Sequence, residues 1–331
     1  MIREISIVLV SWRDEEDALE AIASYAAARA RVPSGGVEVS LVVVDNAAGA
    51  LPASEVAARW PGAAVLVNAE NRGFGPAANQ GGARATGDVL LFVNPDTRAE
   101  GEPFTPLARA FAEDPRVVAA APRLVEMEGA VAGGGTLALA PPGREDQATF
   151  QLRRLPTLAA DASELLMLDH ALPNHRGRRA RRYADEDRSR TFAVEQPAAA
   201  ALAVRRDAFV RIGGFDERYV PAWHEDVELC RRLVDEGSIL FVPEARIRHR
   251  GGHSASRLGY DRFLPAFYRN ALLYRRDHYS PVARAAYRSL LGAGMLLRLG
   301  LLPWRREPPR PRSEAARAYG RVLKLALGLS K

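Results

Sequence analysis

Four short apolar segments in the first hundred residues constrain the fold more than any other feature of this sequence. They are rich in Val, Ile and Leu and lie at residues 5–10, 41–44, 64–67 and 89–93. Helix-like segments separate them, at residues 15–31, about 53–60 and 76–85. Strands buried on both faces show such continuous apolar runs, and strand–helix–strand units of this length form right-handed crossovers. The sequence therefore predicts an α/β fold with a mainly parallel central sheet.

Polar residues directly follow three of the four predicted strands: Ser11-Trp12, Asp45-Asn46 and Asn94-Pro95-Asp96. In open parallel sheets, ligands bind beyond the carboxyl ends of the strands, so we expect these residues at one crevice. A carboxylate there can accept hydrogen bonds from a nucleotide, and a second can hold a divalent cation against a diphosphate. Asp45 suits the first role and Asp96 the second. The alternative is that both are ordinary turn formers after a strand.

Residues 71–81 join a glycine-containing loop to a predicted helix that starts near Pro76. Glycines allow close approach of the backbone to a ligand, and a helix start offers unpaired amides and a positive dipole end to an anion. This segment is a candidate binding loop for a phosphate group, and a plain loop-to-helix turn is the alternative.

A further group of polar residues lies in the second half of the chain. The turn at residues 213–217 is followed by Glu225 and Asp226 at the start of a predicted helix. The helix dipole favours an ionised carboxylate at that position, and such a carboxylate can take the proton of a sugar hydroxyl. N-terminal capping is the alternative role. Glu228 and Arg232, four residues apart, are expected to form an ordinary helix pair.

The rest of the chain is less regular. We interpret residues 129–195, with their glycine, proline and arginine runs, as an insertion. A strand at 199–204, a helix from 225 to about 236 and a strand at 239–242 follow, and the last 60 residues show helical patterns only. His249 comes after the last strand among arginines, where a lone histidine is more often structural than functional.

Composition and charge limit the classes of protein to consider. A hydrophobic content of 47% and a charged content of 26% suit a soluble globular protein. The single cysteine, Cys230, cannot form an internal disulfide, which suits the reducing cytoplasm. No run of about 20 apolar residues indicates a membrane span.

The net charge of +6 is unevenly distributed along the chain. Residues 240–331 contain 19 basic and 5 acidic residues, which leaves +14 there and −8 in the rest. A basic region of this kind indicates an anionic partner, either a membrane surface or nucleic acid. No aromatic platform or recognisable motif accompanies the charge, so we do not expect nucleic acid.

Two candidate helices in this basic region carry their charges on one side. Over residues 281–302 the arginines lie opposite leucines and a methionine, and a Trp-Arg-Arg sequence like an interfacial anchor follows. The first set is Arg284, Arg288 and Arg298, the anchor is Trp304-Arg305-Arg306, and the second helix has Arg317, Arg321 and Lys324. The pattern predicts helices that lie in an anionic membrane interface. Packing on the catalytic domain, or on a partner subunit in a homo-oligomer, is the alternative.

In order and approximate spacing, these residues resemble the family 2 glycosyltransferases, most of all the rhamnosyltransferase-like branch. The resemblance covers about residues 4–280 and rests on Asn94-Pro95-Asp96 and on residues 213–217 with 225–230. It implies a GT-A fold over residues 1–280, followed by a basic amphipathic helical tail over residues 281–331. It also implies an inverting, metal-assisted transfer of a sugar from a nucleoside-diphosphate donor.

The resemblance further implies roles for single residues. The donor nucleotide and sugar would contact Ser11, Asp45, Arg72, Gly73, Asn79 and Asn94. Asp96 and His249 would bind Mg²⁺ or Mn²⁺, and Asp226 would be the general base, with Glu225 as the second candidate. Two departures from the family pattern stand out. Asn94 replaces the first aspartate of the usual Asp-x-Asp, which leaves one anionic metal ligand, and Trp12-Arg13 replaces the usual Tyr-Asn.

By resemblance, the first expectation for the donor is L-rhamnose on thymidine diphosphate, with galactofuranose or another sugar as alternatives. The acceptor would be a polysaccharide or a lipid-linked glycan at the inner face of the cell membrane. Two other functions compete with this one. A sugar-phosphate nucleotidylyltransferase would need a glycine-rich basic loop after the first strand, whereas residues 11–15 contain no glycine. A catalytically silent scaffold subunit would be expected to lack Asp96 or Asp226.

Overall fold

The computed structural model describes residues 2–127, 151–251, 259–304 and 311–329. The strands in these ranges are β1 Glu4–Ser11, β2 Glu38–Asp45, β3 Ala64–Val67, β4 Val89–Val93, β5 Thr97–Glu100, β6 Val117–Glu126, β7 Leu152–Arg153, β8 Phe192–Val194, β9 Gln196–Pro197, β10 Ala201–Arg205 and β11 Ser238–His249. The helices are α1 Glu15–Arg29, α2 Ala53–Arg59, α3 Phe74–Arg84, α4 Phe104–Glu113, α5 Leu158–Leu165, α6 Leu168–Ala171, α7 Arg176–Arg181, α8 Arg206–Arg211, α9 Glu225–Glu236, α10 Tyr260–His278, α11 Pro281–Leu301 and α12 Arg312–Leu327. A 3-10 turn, Leu302–Trp304, follows α11.

One large sheet forms the centre of the molecule, with strand order β3-β2-β1-β4-β10-β6-β11-β5. β8 pairs with the first half of β11, and β5 pairs with its second half. Strands β1, β2, β3, β4, β6 and β11 run in one direction, and β5, β8 and β10 run against them. The predicted α/β fold with a mainly parallel sheet is therefore confirmed. A separate ribbon pairs β7 with β9.

Helices cover both faces of this sheet because the central strands are apolar on both sides. On one face, alternate residues of β1 such as Ile7 pack with α1, α2 and α4. On the other face, Val8 and its neighbours pack with α3, α8 and α9. The carboxyl ends of β1, β2 and β4 thus open at one edge between the two helix layers, as the sequence predicts.

The structure extends one predicted strand and contains another that the sequence analysis missed. β11 continues past Val242 to His249, so His249 is the last residue of a strand rather than a residue of the loop after it. A register shift between Val242 and Arg246 includes Pro243, which breaks the apolar pattern and hides the second half of the strand from sequence inspection. β6 also escapes prediction, because it is rich in alanine and contains Pro122.

The predicted insertion at residues 129–195 is partly described, from residue 151 onward. It supplies β7, the helices α5 to α7 and β8. The glycine- and proline-rich runs at 133–135 and 141–143 lie outside the described residues. The insertion is therefore structural in its second half, where it contributes a ribbon strand and helices that pack on the rest of the protein.

The C-terminal helices form a third apolar cluster with a helix of the insertion. α10, α11 and α12 pack on one another and on Leu165 of α5, and buried aromatic residues such as Tyr268, Tyr287 and Tyr319 fill the cluster. Trp223, which precedes the predicted catalytic residues, packs against the same cluster. The predicted division at residue 280 falls between two helices of this single cluster. Packing on the catalytic part of the chain, one of the two interpretations of the tail, is thus observed.

The arginines of α11 point inward, which corrects the prediction that they face a membrane. Arg298 is buried and donates to the carbonyls of Glu164 and Leu165 at the end of α5. Arg288 donates to the carbonyl of Leu325, and Arg284 to that of Arg276. The helical wheel places these side chains on one side correctly, but it does not show which side faces the protein. Guanidinium groups bind here the carbonyls that helix ends leave unpaired.

The exposed side of α11 is uncharged along its whole length. It consists of Val282, Ala285, Ser289, Ala293, Leu296, Leu297 and Leu301, and we call this surface the α11 outer face. Trp304 follows it and is 78% exposed, whereas Arg305 and Arg306 of the predicted anchor lie outside the described residues. On α12, the predicted basic stripe of Arg317, Arg321 and Lys324 is exposed. Among the described residues, the segment Pro281–Trp304 is long and apolar enough to cross a membrane.

Candidate functional site

The carboxyl ends of β1 and β2 place two predicted nucleotide-binding residues side by side. Ser11 and Asp45 are register partners at the ends of these strands, and both are buried. The Asp45 carboxylate accepts hydrogen bonds from the amides of Ala47 at 2.8 Å and Leu51 at 3.0 Å. It therefore shapes its own loop, as the turn-former interpretation expects. Its contact with a nucleotide stays a prediction.

A network of buried amides next to Asp45 escapes the sequence analysis. Asn46 donates to the side chain of Asn71 at 2.8 Å and accepts from Asn68 at 3.0 Å and from the Arg72 amide at 3.1 Å. It also contacts the carbonyl of Gly73. Asn46 thus ties the candidate binding loop to the end of β2. Asparagines are common at strand ends, so nothing in the sequence distinguishes this one.

The candidate binding loop runs directly into α3 through Gly73. This glycine has a φ of 91° and precedes the first residue of the helix, which has no side-chain N-terminal cap. The amide of Phe74 is taken by the carbonyl of Pro221 at 3.0 Å, so the loop is fastened to residues 220–221 as well. Arg72 is exposed beside it. The amides of Arg72, Gly73 and Phe74 are thus used inside the protein, and the Arg72 guanidinium remains as the group that could bind an anion at the rim of the crevice.

Asn79 has a positioning role that the prediction did not include. Its side chain accepts from the Phe215 amide at 2.8 Å and donates to the Phe215 carbonyl at 2.9 Å. It holds the turn at residues 213–217 against α3. Arg232 holds the same turn from the other side, through the carbonyls of Ile212 and Gly214, and also forms the predicted i, i+4 pair with Glu228. A donor contact of Asn79 stays a prediction.

Asp96 and His249 lie together, as the predicted shared metal site requires. His249 Nε2 is 3.5 Å from Asp96 Oδ2, and the Gly251 amide donates to the same oxygen at 3.2 Å. Burial alone raises the pKa of Asp96, but the hydrogen bond and charge of His249 and the Gly251 amide hold the pKa below its ordinary value. Asp96 is therefore ionised at neutral pH.

These two residues fit a divalent cation that also binds substrate. One carboxylate and one imidazole leave several coordination positions for diphosphate oxygens and water, a pattern common for Mg²⁺ bound with phosphates. In the part of the chain that the structure describes, no group of three His, Cys, Asp or Glu side chains could hold a metal alone. The neighbouring arginines are engaged elsewhere: Arg248 with Glu100, and Arg250 with Asp17. Both guanidinium groups are therefore held by carboxylates away from a departing diphosphate.

The start of α9 brings Asp226 to the same crevice. The Asp226 carboxylate accepts from the Val227 amide at 2.8 Å, and the Ala199 amide also lies against it. The adjacent Ala200 carbonyl accepts from the Asn94 amide at 2.9 Å. Two consecutive residues ahead of β10 therefore join the segment that bears Asp96 to the residue predicted as base. This link is the clearest geometric sign of one composite site.

Glu225 and Asp226 are adjacent carboxyl groups, of which Glu225 is buried and Asp226 is partly exposed. Burial and the charge of Asp226 raise the pKa of Glu225 well above its ordinary value. Burial also raises the pKa of Asp226, but the Val227 amide and the charge of Arg153 oppose the increase. Both pKa values are therefore raised, and the Val227 amide and the charge of Arg153 favour the ionised form of Asp226. An ionised carboxylate at this position suits the role of a base.

His224 and Arg275 support the start of α9 from behind. Trp223 and His224 have left-handed backbone conformations, with φ of 75° and 70°. Such strain persists only where the surroundings fix it. Arg275 Nη1 donates to His224 Nε2 at 3.2 Å, and burial with the charges of Arg275 and Arg153 holds the pKa of His224 well below its ordinary value. Arg275 is itself paired with Asp161 of α5 at 2.5 Å.

The contacts that support the start of α9 could not be predicted from the sequence. Asp161 and Arg275 are 114 residues apart and belong to the predicted insertion and to a helix near the tail. Both side chains are almost completely buried, and Tyr279 donates to the same carboxylate at 2.9 Å. The insertion and the C-terminal helices therefore contribute directly to the setting of the candidate base.

Comparison with known proteins relates this chain to a family of glycosyltransferases. Residues 6–158 match the family model described as glycosyl transferase family 2. Over 306 residues the chain is 26% identical to N-acetylglucosaminyl-diphospho-decaprenol L-rhamnosyltransferase from two strains of Mycobacterium tuberculosis, covering 88% of this chain and 89% of the relative.

Solved structures show the same fold at low sequence identity. The crystal structure of GalNAc-T7 with UDP, GalNAc and Mn²⁺ superposes with a TM-score of 0.57 and 16% identity, and it covers 99% of this chain and 56% of that one. The mannosyltransferase PcManGT from Pyrobaculum calidifontis, in complex with GDP-Man and Mn²⁺, gives 0.54 and 13% identity, with 99% and 87% covered.

Proposed function

We propose that this chain, which is a family 2 glycosyltransferase with a GT-A fold, transfers L-rhamnose from a nucleoside diphosphate to a lipid-linked glycan. The transfer inverts the anomeric centre and requires Mg²⁺ or Mn²⁺. The joining of the Asp96 and Asp226 segments through residues 199–200 carries this proposal. It brings Asp96 and Asp226 to one crevice, which supports their proposed roles as metal ligand and base in a single displacement.

In the proposed mechanism Asp226 accepts the proton of the acceptor hydroxyl as that oxygen attacks the anomeric carbon. The Val227 amide and the charge of Arg153 favour the ionised form of Asp226, which supports this role. Asp96 and His249 would hold the cation, whose chemistry is to neutralise charge on the departing diphosphate. The exposed Arg72 would face the donor, beside the loop that Asn46, Asn71 and the Pro221 carbonyl fix in place.

The choice of sugar and acceptor rests on the mycobacterial relative, whose name gives L-rhamnose and a diphospho-decaprenol acceptor. The structural neighbours contain Mn²⁺ and nucleotides, which supports the choice of cofactor. A carboxylate, an imidazole and open coordination positions at Asp96 and His249 suit the same cofactor. The thymidine nucleotide is proposed by family resemblance.

A direct test measures transfer from thymidine-diphosphate L-rhamnose to an N-acetylglucosaminyl-diphospho-lipid, with Mn²⁺ and after treatment with EDTA. The expected result is a rhamnosylated lipid that forms only with metal. Thermal shifts with thymidine, uridine and guanosine diphosphates select the base, since a nucleotide at 100 times its Kd stabilises by roughly 2.7 kcal/mol. A lack of transfer from any of several nucleoside-diphosphate sugars, despite nucleotide binding, would contradict the proposal.

We also propose that the α11 outer face lies in the interface of the cell membrane. Its uncharged residues adjoin a helix with an exposed basic stripe, a combination that suits an anionic lipid surface. Binding to vesicles of phosphatidylglycerol should then survive 1 M salt in part, because apolar burial is not screened. Replacing Leu296 and Leu297 by Glu should remove the part of vesicle binding that resists salt. Full binding by this variant would exclude the α11 outer face as the membrane contact.

A further inference from the structure

A cavity of about 640 Å³ lies between α10 and α11, outside the crevice described above. This volume falls within the range of small-molecule sites. Leu272, Leu273 and Tyr287 form apolar parts of its wall. The rest of the wall is strongly basic, with six arginines: Arg218, Arg269, Arg275, Arg276, Arg284 and Arg288.

Only half of these arginines are neutralised by carboxylates. Arg275 pairs with Asp161, and Arg218 and Arg276 share Asp277 at 2.7 and 2.9 Å, with Asp216 also beside Arg218.

The other three donate to backbone carbonyls: Arg269 to Val220, Arg284 to Arg276 and Arg288 to Leu325. In the described ranges no ion pair involves these three side chains. The cavity therefore carries a surplus of about three positive charges, and guanidinium groups bind phosphate oxygens well.

The cavity wall also holds the segment that leads to the candidate base. Asn270 donates to the carbonyls of Ala222 at 2.9 Å and Trp223 at 3.0 Å, and Arg275 donates to His224. α9 begins at the next residue, Glu225. A ligand in the cavity would thus lie behind the strained residues at the start of the helix that bears Asp226.

The surroundings of the cavity are apolar on the side of α11. Arg284 and Arg288 line the cavity from α11, and the α11 outer face lies on the opposite side of the same helix. A molecule with a phosphate group and a lipid chain matches this combination, with the phosphate at the arginines and the chain along apolar surface. A free nucleotide would leave the apolar parts unused.

We propose that this cavity binds the diphosphate between the sugar and the lipid of the acceptor. This inference rests on the proposed function, in which the acceptor is lipid-linked. The three arginines without a carboxylate partner, Arg269, Arg284 and Arg288, select acceptors that carry phosphate. Through Asn270, segment 222–224 joins the cavity wall to the helix that bears Asp226. The cavity is thereby a specificity site for the acceptor and is separate from the metal and donor site.

The test compares two acceptors that carry the same sugar: an N-acetylglucosaminyl-diphospho-lipid and an alkyl N-acetylglucosaminide without phosphate. The variant is Arg284→Gln with Arg288→Gln, and the matched control is Arg317→Gln on the exposed stripe of α12. Loss of two charge-assisted hydrogen bonds should raise KM for the diphospho-lipid about 10- to 100-fold. Transfer to the neutral acceptor, and hydrolysis of the donor without acceptor, should stay unchanged in both variants.

Four outcomes overturn the inference while leaving the proposed function intact. The first is a wild type that uses both acceptors equally well, and the second is a double variant that loses both to the same extent. The third is an equal rise in KM for the diphospho-lipid in Arg317→Gln, which would show that the basic residues act by general attraction to the membrane. The fourth outcome is competition with the diphospho-lipid by vesicles of phosphatidylglycerol but not of phosphatidylcholine. If this competition occurs in the wild type and is absent in the double variant, the cavity is a phospholipid site instead. A wild type that transfers to neither acceptor contradicts the proposed function itself.

Discussion

The buried ion pair between Asp161 and Arg275 yields the sharpest prediction about stability. Arg275 is 5% exposed and donates to both carboxylate oxygens of Asp161, at 2.5 and 3.2 Å. Asp161→Asn removes the negative charge and keeps the shape, so the guanidinium remains buried without its counter-ion. Breaking one partner of a buried pair costs about 3–5 kcal/mol.

The size of the thermal effect follows from chain length. With an unfolding entropy of roughly 2.1 cal/mol/K per residue, a chain of 331 residues loses about 0.7 kcal/mol per degree. Asp161→Asn should therefore lower Tm by about 4–7 °C, measured by circular dichroism. Asp187→Asn is the matched control, since its pair with Arg190 is exposed and should contribute little.

The same perturbation should reach the active site, because Arg275 also holds His224 next to Glu225. We expect a lower kcat in Asp161→Asn at temperatures where the variant is fully folded, and no such loss in Asp187→Asn. Replacing both partners, with Asp161→Asn and Arg275→Gln, should recover part of the stability, since no buried charge is left alone. A Tm for Asp161→Asn within about 1 °C of the wild type would refute the reasoning.

Three further predictions address the crevice. Because the folded protein raises the pKa of Glu225 above its ordinary 4.5, its ionisation costs stability as pH rises through the folded pKa. Glu225→Gln should thus stabilise the protein at neutral pH and have no effect well below pH 4.5, which urea denaturation at several pH values can check. Gly73→Ala should cost more than about 1 kcal/mol, since φ is 91° and a Cβ would lie 3.1 Å from the Pro221 carbonyl oxygen; an unchanged urea midpoint would contradict this. Asp96→Asn and His249→Gln should each weaken Mn²⁺-dependent nucleotide binding in calorimetry, with little added by the double variant. Unchanged affinity in His249→Gln would exclude that residue from the metal site.

The sheet could be predicted from the sequence because its strands are apolar on both faces and alternate with helices. The same pattern places Ser11, Asp45 and Asp96 at strand ends, and the structure brings those ends to one edge. Strands with a weaker apolar signal were missed, as with β6, whose alanines and Pro122 resemble neither a strand nor a helix. The extension of β11 was missed because Pro243 interrupts it.

The other features that the sequence did not predict depend on contacts between segments that are distant in the chain. Asn46, Asp161 and Arg275 act through partners that lie far away in the chain, so local patterns do not indicate their roles. The inward direction of Arg298 likewise depends on the end of α5, which a helical wheel of α11 does not include. Periodicity defines the faces of a helix, and only the packing of the folded protein decides which face is buried.

The most direct test of the central claim measures two properties of Asp226→Asn: its rate of rhamnosyl transfer and its Kd for the donor nucleotide. Asp226 is the carboxylate whose ionised form the Val227 amide and Arg153 favour, and it adjoins the segment of Asp96. Loss of a general base should lower kcat by roughly 10²–10⁴, while nucleotide affinity with Mn²⁺ stays close to that of the wild type. A variant that keeps kcat within a few-fold of the wild type would contradict the assignment and make Glu225 the candidate base.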